Sequence, residues 1–278
     1  MKKILFTIIL VCLIGTANSQ NITLEVNTQS IAEGTSVDLK AILDEPETED
    51  VVINFDVSGT AINGLDYITE FVGKGMSSTV AGGNGMGSNL DQFNFSTGVF
   101  VDTSGNIYIA DKKNHRIQKW PEGASTGITV AGGNGAGSAA NQFSNPSNVY
   151  VDLSGNIYVA DTENSRIQKW APGATSGTTV AGGNGDGDAS NQLYLTNGFF
   201  VESNGNIYVA DGLNSRIQKW VPGATEGVTV AGGNGSGSAA NQLNNAADVF
   251  VDLNGNIFIA DASNRRIQKW APEALEGV

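Results

Sequence analysis

Residues 149–185 read Val149-Tyr150-Val151-Asp152, Leu153-Ser154-Gly155-Asn156, Ile157-Tyr158-Val159-Ala160, Asp161-Thr162-Glu163-Asn164-Ser165, Arg166-Ile167-Gln168-Lys169-Trp170, Ala171-Pro172-Gly173-Ala174 and, further on, Thr178-Thr179-Val180-Ala181-Gly182-Gly183-Asn184-Gly185. The β-branched and aromatic runs predict four short strands, Val149–Asp152, Ile157–Ala160, Arg166–Trp170 and Thr178–Ala181. Between them stand Gly, Asn, Asp, Ser and Pro, the residues of tight turns. No stretch between these breakers carries a 3.6-residue apolar period, so a helical unit is excluded.

The same unit occurs four times at a period of 50 residues without an insertion. Thr79-Val80-Ala81-Gly82-Gly83-Asn84-Gly85 recurs from positions 129, 179 and 229. Asp111-x-x-Asn114-x-Arg116-Ile117-Gln118-Lys119-Trp120 recurs from 161, 211 and 261. The units are therefore 79–128, 129–178, 179–228 and 229–278. Self-similarity at this period indicates a solenoid, a propeller or an array, and four hairpin-linked strands per unit make one propeller blade. Ile157 and Val159 point to one face of their strand and Tyr158 and Ala160 to the other, so both faces are apolar. A blade packed between two neighbours requires that pattern. The expected fold class is all-β, a β-propeller of four-stranded blades, with a small β-sandwich-like segment before it. Trp120, Trp170, Trp220 and Trp270 close the third strands and read as core, each costing about 3–5 kcal/mol on truncation to Ala.

At these residues the chain resembles the NHL repeat: Gly-Asn-Ile-Tyr-Val-Ala-Asp followed by Asn-x-Arg-Ile-Gln-Lys-Trp, in phase over residues 79–278. The resemblance implies a propeller, usually of about six blades. Four units depart from that number. Two explanations compete: the sequence is a fragment of a longer array, or the strand at Thr79–Gly82 closes the last blade as a clasp. The fragment is the expectation.

The first residues read as an address. Met1-Lys2-Lys3 is a positive start, Ile4 to Ile14 an apolar core too short for a comfortable membrane span, and Ala17-Asn18-Ser19 a small-residue cleavage site. A secretory signal over 1–19, cut before Gln20, places the mature protein outside the cell or on its surface with no membrane span. Cleavage removes Lys2 and Lys3, so the net charge moves from −13 to −15, and it also removes Cys12, the single Cys.

Residues 20–75 lack the repeat and carry 11 acidic against 2 basic residues. Ile22–Val26, Thr35–Leu43 and Val51–Val57 alternate as strands, with an acidic turn through Pro46. Ile31-Ala32-Glu33-Gly34-Thr35 and, later, Gly59-Thr60-Ala61-Ile62-Asn63-Gly64-Leu65-Asp66-Tyr67 resemble the first half of a Calx-beta domain. The resemblance implies Ca²⁺ binding and puts Glu33 and Asp66 at two ligand positions. Six to eight oxygens are what Ca²⁺ takes. The family's second half, with its acidic cluster, is missing, so turn capping is the plainer role for both residues. The run Asp44-Glu45-Pro46-Glu47-Thr48-Glu49-Asp50 reads as a solvated hairpin tip.

Composition narrows the function. The propeller units hold 11 basic and 17 acidic residues, which disfavours nucleic acid as a partner. One Cys and one His exclude zinc sites built from Cys/His sets. No cofactor is expected, Ca²⁺ through Glu33 and Asp66 excepted. Some relatives of NHL propellers are lyases that hold zinc with several His, but here His115 is replaced by Ser165, Ser215 and Arg265 in the sister units. No activated Ser stands near His115 and Asp111 in a recognisable triad. A non-enzymatic role follows.

Meander connectivity locates the candidate site. The turn between strands two and three lies on the same propeller face as the link to the next blade. The opposite face barely varies: Ser104-Gly105-Asn106, Ser154-Gly155-Asn156, Asn204-Gly205-Asn206 and Asn254-Gly255-Asn256. On the first face Lys112-Lys113, Thr162-Glu163, Gly212-Leu213 and Ala262-Ser263 differ, as do His115 and Arg265, and the links differ too, Tyr194 among them. Lys112, Lys113, His115, Thr162, Glu163, Tyr194, Leu213 and Arg265 are the candidate contacts for a protein or glycan partner, because function gathers on loops held by a rigid scaffold. Neutral drift of exposed loops is the competing account. The invariant pairs Asp111/Arg116, Asp161/Arg166, Asp211/Arg216 and Asp261/Arg266 read as structural: each Asp accepts backbone N–H groups in its turn, and each Arg pairs with it or with the next blade. Asn84-Gly85-x-Gly87 and its copies resemble anion-cradling loops, with no helix or Lys in Walker spacing behind them. Asp186-Gly187-Asp188 is not a metal repeat, since Met86, Ala136 and Ser236 stand in its sisters. The expected function is a secreted or surface-displayed binding and scaffold module. The alternatives are an extracellular propeller enzyme of the lyase or lactonase type with its catalytic blades elsewhere, and a calcium-dependent adhesion module.

Overall fold

A computed structural model of the chain describes residues 79–278 and, before them, two strands, β1 (Ile22–Val26) and β2 (Leu39–Leu43). These two pair antiparallel, with Leu24 opposite Ala41, as the alternation in both stretches predicts. The strand expected at Val51–Val57, the acidic tip, and Glu33 and Asp66 lie outside the described residues.

Residues 79–278 form four blades arranged as a β-propeller. Blade 1 contains β3 (Ser96–Val101), β4 (Ile107–Asp111), β5 (Arg116–Trp120) and β6 (Ile128–Gly132). Blade 2 contains β7 (Pro146–Val151), β8 (Ile157–Asp161), β9 (Arg166–Trp170) and β10 (Thr178–Gly182). Blade 3 contains β11 (Thr196–Val201), β12 (Ile207–Asp211), β13 (Arg216–Trp220) and β14 (Val228–Gly232). Blade 4 contains β15 (Ala246–Val251), β16 (Ile257–Asp261) and β17 (Arg266–Trp270). Each is an antiparallel meander in chain order, as the hairpin spacing dictates. The clasp weighed as the alternative for Thr79–Gly82 does not form. The edge beside β17 is taken by Val278, whose N–H and C=O exchange 2.9 Å bonds with Lys269. Thr178 occupies the same register opposite Lys169 in blade 2.

First strands begin earlier than their apolar runs suggest, β7 at Pro146 instead of Val149. In β7, Pro146 already pairs with Asp161, and an irregularity follows before Asn148. There the Asn148 side chain accepts the N–H of Val149 at 2.8 Å, so polar residues carry the strand entry.

The apolar two-faced strands bury their side chains between blades. Tyr108, Ala110, Ile117 and Ala131 of blade 1 meet Val149, Val151, Ile157, Val159 and Trp170 of blade 2, with Phe143 from the link between them. Two further clusters repeat this contact between blades 2 and 3 and between blades 3 and 4. All four Trp residues are buried. The Trp170 ring lies 5.5 Å from that of Phe143, and its Nε1 donates to Gln168 Oε1 at 2.9 Å. An indole buried with its N–H satisfied is core, not a ligand platform.

Candidate functional site

In each blade the second strand ends on an acid and the third begins on a base, and the two stand directly opposite one another: Asp111 and Arg116, Asp161 and Arg166, Asp211 and Arg216, Asp261 and Arg266. Four residues join them. In blades 1, 2 and 4 the first three form a 3₁₀ turn and the fourth, His115, Ser165 or Arg265, takes the left-handed conformation with φ of 53°, 48° and 56°. The Arg Nε donates to the Asp Oδ2 at 2.7 Å in all four pairs, and every one of these carboxyls is fully buried.

The Arg does more than pair. Arg166 also donates from Nη1 to Ser138 O at 2.8 Å and from Nη2 to Ala139 O and Gln142 O at 3.1 and 3.0 Å. Those carbonyls belong to the link that leads into the same blade. Asp161 holds the end of that link through Ser144 N, and Asn164 Nδ2 donates both to Asp161 Oδ2 and to Gly137 O, each near 2.9 Å. Burial pushes the Asp161 and Asp211 carboxyls upward, against the pull of these hydrogen bonds and the guanidinium. The Asp, Asn and Arg thus lock each variable turn to its link, which is the structural role their invariance suggested. The Arg partner is the Asp and the preceding link together, not the next blade.

The Gly-rich loops are closed on themselves. Gly137 N donates to Phe143 O, Asn134 Nδ2 to Asn141 O and Gln142 Nε2 to Asn134 O. Their resemblance to anion cradles comes from turn chemistry.

On this locked base one position per blade always points to solvent: Lys113, Glu163, Leu213 and Ser263. Its backbone N–H donates to the carbonyl of a link residue, Asn94, Ser144, Tyr194 and Asn244 respectively, at 3.0–3.3 Å. The structure therefore brings Leu213 beside Tyr194, both exposed, and Glu163 beside Ser144. Lys112 is half-buried, its ammonium 6.0 Å from the ring centre of exposed Phe95. Arg265 is exposed. The Ser144 hydroxyl and the Asn145 amide, with burial opposing and Lys113 and Lys112 assisting, hold Glu163 below its usual range.

Two expected contact residues are placed differently. Thr162 is buried, its hydroxyl donating to Ser147 Oγ at 2.7 Å, so it supports the face from beneath and does not present itself to a partner. The reason is packing against β11 of the next blade, since Ala262, first in the same kind of 3₁₀ turn in blade 4, is exposed. His115 turns toward the next blade, where its Nδ1 accepts Asn145 N at 3.1 Å. Its sisters Ser165 and Ser215 are buried at the corresponding seams of blades 2 and 3.

Asn145 was not singled out by the sequence. It links His115, through its N–H, to Glu163, through its side-chain amide. Its φ is 51°, and Phe95, Leu195 and Asn245 share that left-handed state at 59°, 59° and 56°. Side chains rarely adopt it, and such strain concentrates where a structure holds residues for use. The Asn at 145 and 245 was the available hint, since Asn tolerates this conformation; Phe95 and Leu195 masked it.

Asp186 accepts the Ser165 hydroxyl at 2.7 Å. Among the described residues no group of three His, Cys, Asp or Glu side chains gathers as a metal site, and no helix is long and apolar enough to cross a membrane.

Comparison with known proteins agrees with this geometry. A model of the NHL repeat matches residues 93–120 and 143–170. No curated protein matches the chain significantly. Among solved structures, a structural genomics protein of unknown function from Bacteroides thetaiotaomicron superposes with a TM-score of 0.51 at 21% identity, over 64% of this chain and 47% of that one. An auxiliary nutrient binding protein from the same organism gives 0.51 at 16% identity, over 66% and 49%. The nidogen/laminin complex gives 0.50 at 15% identity, over 65% and 62%. The matched part spans about half the length of the first two. At these identities the likeness is one of fold. Two stretches, in blades 1 and 2, match the NHL repeat, and residues 79–278 fold as the blades of a β-propeller.

Proposed function

We propose that this chain is a secreted binding module that offers the link-and-turn face of its blades to a protein or glycan partner. One observation carries the reading. Lys113, Glu163, Leu213 and Ser263, which change from unit to unit, are exposed, as is Tyr194 beside Leu213, while the Asp, Asn and Arg that hold them are constant and fixed. A fixed scaffold with a changing rim is what recognition of an extended ligand uses. Two solved neighbours of the same fold are auxiliary nutrient binding proteins, which accords with a binding role for the architecture. A lyase or lactonase reading gains nothing from the described residues, because their one imidazole, His115, is engaged at a blade seam. Secretion rests on the signal at residues 1–19.

The test places a photo-crosslinking side chain at position 113, 163 or 213, or at Ser154 on the opposite face, in the full chain secreted by its own signal. Each protein is exposed to its native culture and to a glycan array. Adducts or glycan binding that depend on the first face alone support the proposal. Equal labelling from Ser154, or none anywhere, sinks it. N-terminal sequencing of the secreted product should begin at Gln20, and an uncleaved intracellular product would remove the extracellular part of the reading.

A further inference from the structure

The outward residue of each turn and the link residue bonded to it change together. Lys113 N donates to Asn94 O, Glu163 N to Ser144 O, Leu213 N to Tyr194 O and Ser263 N to Asn244 O. Along the four blades the pairs are therefore Asn/Lys, Ser/Glu, Tyr/Leu and Asn/Ser. Only blade 3 sets two large apolar side chains at these positions. Tyr194 is 42% exposed and Leu213 51% exposed. Blade 3 is flanked by blades 2 and 4, so this exposure belongs to the face itself. Neighbouring exposed apolar groups where the sister blades carry polar ones mark a contact site.

The shelf made by Tyr194 and Leu213 stands on a fixed backbone. Tyr194 N donates to Asp211 Oδ1 at 2.7 Å, and Asn214 Nδ2 donates to Asp211 Oδ1 and Gly187 O at 2.9 and 2.7 Å. Gly212, beside Leu213, is buried, and a Cβ there would lie 3.1 Å from Asn245 Oδ1 and 3.2 Å from Ala246 O, so blade 4 closes on the turn. A ligand on such a shelf orders little backbone as it binds.

The two preceding blades carry charges of opposite sign. On blade 1 Lys113 is exposed and Lys112 half-buried. On blade 2 Glu163 is exposed, one carboxylate oxygen accepting Ser144 Oγ at 2.8 Å and the other the Asn145 amide. These bonds hold the carboxylate in place and leave its charge at the surface. Exposed Asp186 accepts Ser165 Oγ from the same turn at 2.7 Å and adds to the negative potential there. Blade by blade the face presents a cation, an anion and an apolar shelf.

We propose that the link-and-turn face of blades 1 to 3 binds an extended peptide, with an acidic residue at Lys112 and Lys113, a basic residue at Glu163 and an apolar residue on the Tyr194–Leu213 shelf. This rests on the binding role proposed above for the face and names its ligand class. A glycan of repeating sugars offers hydroxyls and anions; an anion, a cation and an aliphatic group in a row are what a peptide offers. Packed sheets stand about 10 Å apart, so blades 1 and 3 set their groups about 20 Å apart. About six extended residues cover that distance. Exposed ion pairs contribute little each, so the shelf supplies most of the affinity, and the charges set register and direction.

The test pans a displayed library of random peptides of about twelve residues, twice the span required, against the full secreted chain. Fluorescence anisotropy then measures synthetic copies of the enriched sequences. Enrichment of an acidic and an apolar residue about six positions apart, with a basic residue between them, is expected. Leu213→Asp should weaken these peptides at least about tenfold, as loss of an anchor does. Lys113→Glu should reverse the charge preference: a peptide whose acidic residue is changed to Lys should bind this variant more tightly than it binds the wild type. Misfolding cannot produce that reversal, and unchanged far-ultraviolet circular dichroism verifies both variants. Absence of enrichment overturns the proposal, as do peptides indifferent to Leu213→Asp or a charge preference that Lys113→Glu leaves unreversed. Glycan binding through the first face without peptide enrichment sinks the peptide and leaves the binding role of the face standing.

Discussion

Replacing Arg166 with Met removes one guanidinium and four hydrogen bonds, to Asp161 Oδ2 and to the carbonyls of Ser138, Ala139 and Gln142. Ser138 and Ala139 are exposed, so water replaces the Arg at their carbonyls for little. Asp161 is different. Its carboxyl is 0% exposed and keeps only the Ser144 N–H and the Asn164 amide as donors. A buried charge that has lost its partner costs about 3–5 kcal/mol. For a domain of this size about 2–4 °C of melting temperature corresponds to 1 kcal/mol, so the transition should fall by about 6–20 °C. The charge origin is separable. Asp161→Asn alone leaves a neutral amide that still accepts Ser144 N, and should cost about 1–3 kcal/mol. In the double variant Asp161→Asn/Arg166→Met no unpaired charge remains, so its cost should fall short of the sum of the singles by about 2 kcal/mol, within the range seen for touching residues. Urea denaturation followed by tryptophan emission reads all three, since Trp170 ends the strand that begins with Arg166. Additive costs, or an Arg166→Met cost below about 1 kcal/mol, would refute the claim that the buried carboxylate is what the Arg holds.

Trp170→Ala should destabilise by about 3–5 kcal/mol, because it empties the seam between blades 1 and 2 and leaves Phe143 unsupported; a loss under 1 kcal/mol in denaturant titration would contradict its place in the core. Gly98→Ala should be costly although its position is polar and axial, since the new Cβ meets Asn148 Cα at 2.6 Å; Gly123→Ala, with open space around it and φ of 71°, should cost only the left-handed strain of about 1 kcal/mol. Glu163 has a folded pKa held below its unfolded value by Ser144 and Asn145, so its contribution is present above the unfolded value and is lost as pH falls through the folded one. Ser144→Ala should flatten that acid limb of a melting-temperature profile, and an unchanged limb would remove Glu163 from the cause. Thr162→Val should leave partner binding unaffected while lowering stability by about 1 kcal/mol through the lost bond to Ser147; a selective loss of binding would return Thr162 to the contact surface.

The blades were legible because each signal in the sequence was local and repeated. Strand two and strand three of every unit, as in Ile157–Asp161 and Arg166–Trp170, fall where the β-branched runs stand, because a two-residue side-chain period and turn residues at both ends leave no other register. The start of strand one is not legible, since Pro146, Ser147 and Asn148 carry no apolar signal and are held by backbone and side-chain bonds. The candidate face was legible from connectivity alone. Its inner detail was not. The neighbouring blade's β11, packed on the turn, decides that Thr162 is covered and Glu163 is not, and a linear sequence shows two polar residues side by side. The service of Gln168 as the acceptor for Trp170 Nε1 was equally hidden, because Gln at that position reads as an ordinary alternating polar residue.

The constant and the changing residues of this face are two consequences of one hairpin. Asp161 and Arg166 face each other across the ladder, so the turn between them has fixed ends, and Asn164 fixes a third point by bonding both Asp161 and the Gly137 carbonyl. With the backbone held at its ends and at Asn164, Glu163 points to solvent whatever its side chain is, and so do Lys113, Leu213 and Ser263. A position whose backbone is set by its neighbours tolerates exchange of charge, size and polarity at small cost in stability. That freedom also explains why the exchange includes a cation, an anion, an apolar group and a hydroxyl in four copies of an otherwise near-identical unit. The fourth position of the turn lacks that freedom. His115, Ser165 and Ser215 each meet the backbone N–H of a link residue across a seam, and Arg265 is the one that cannot accept such a bond.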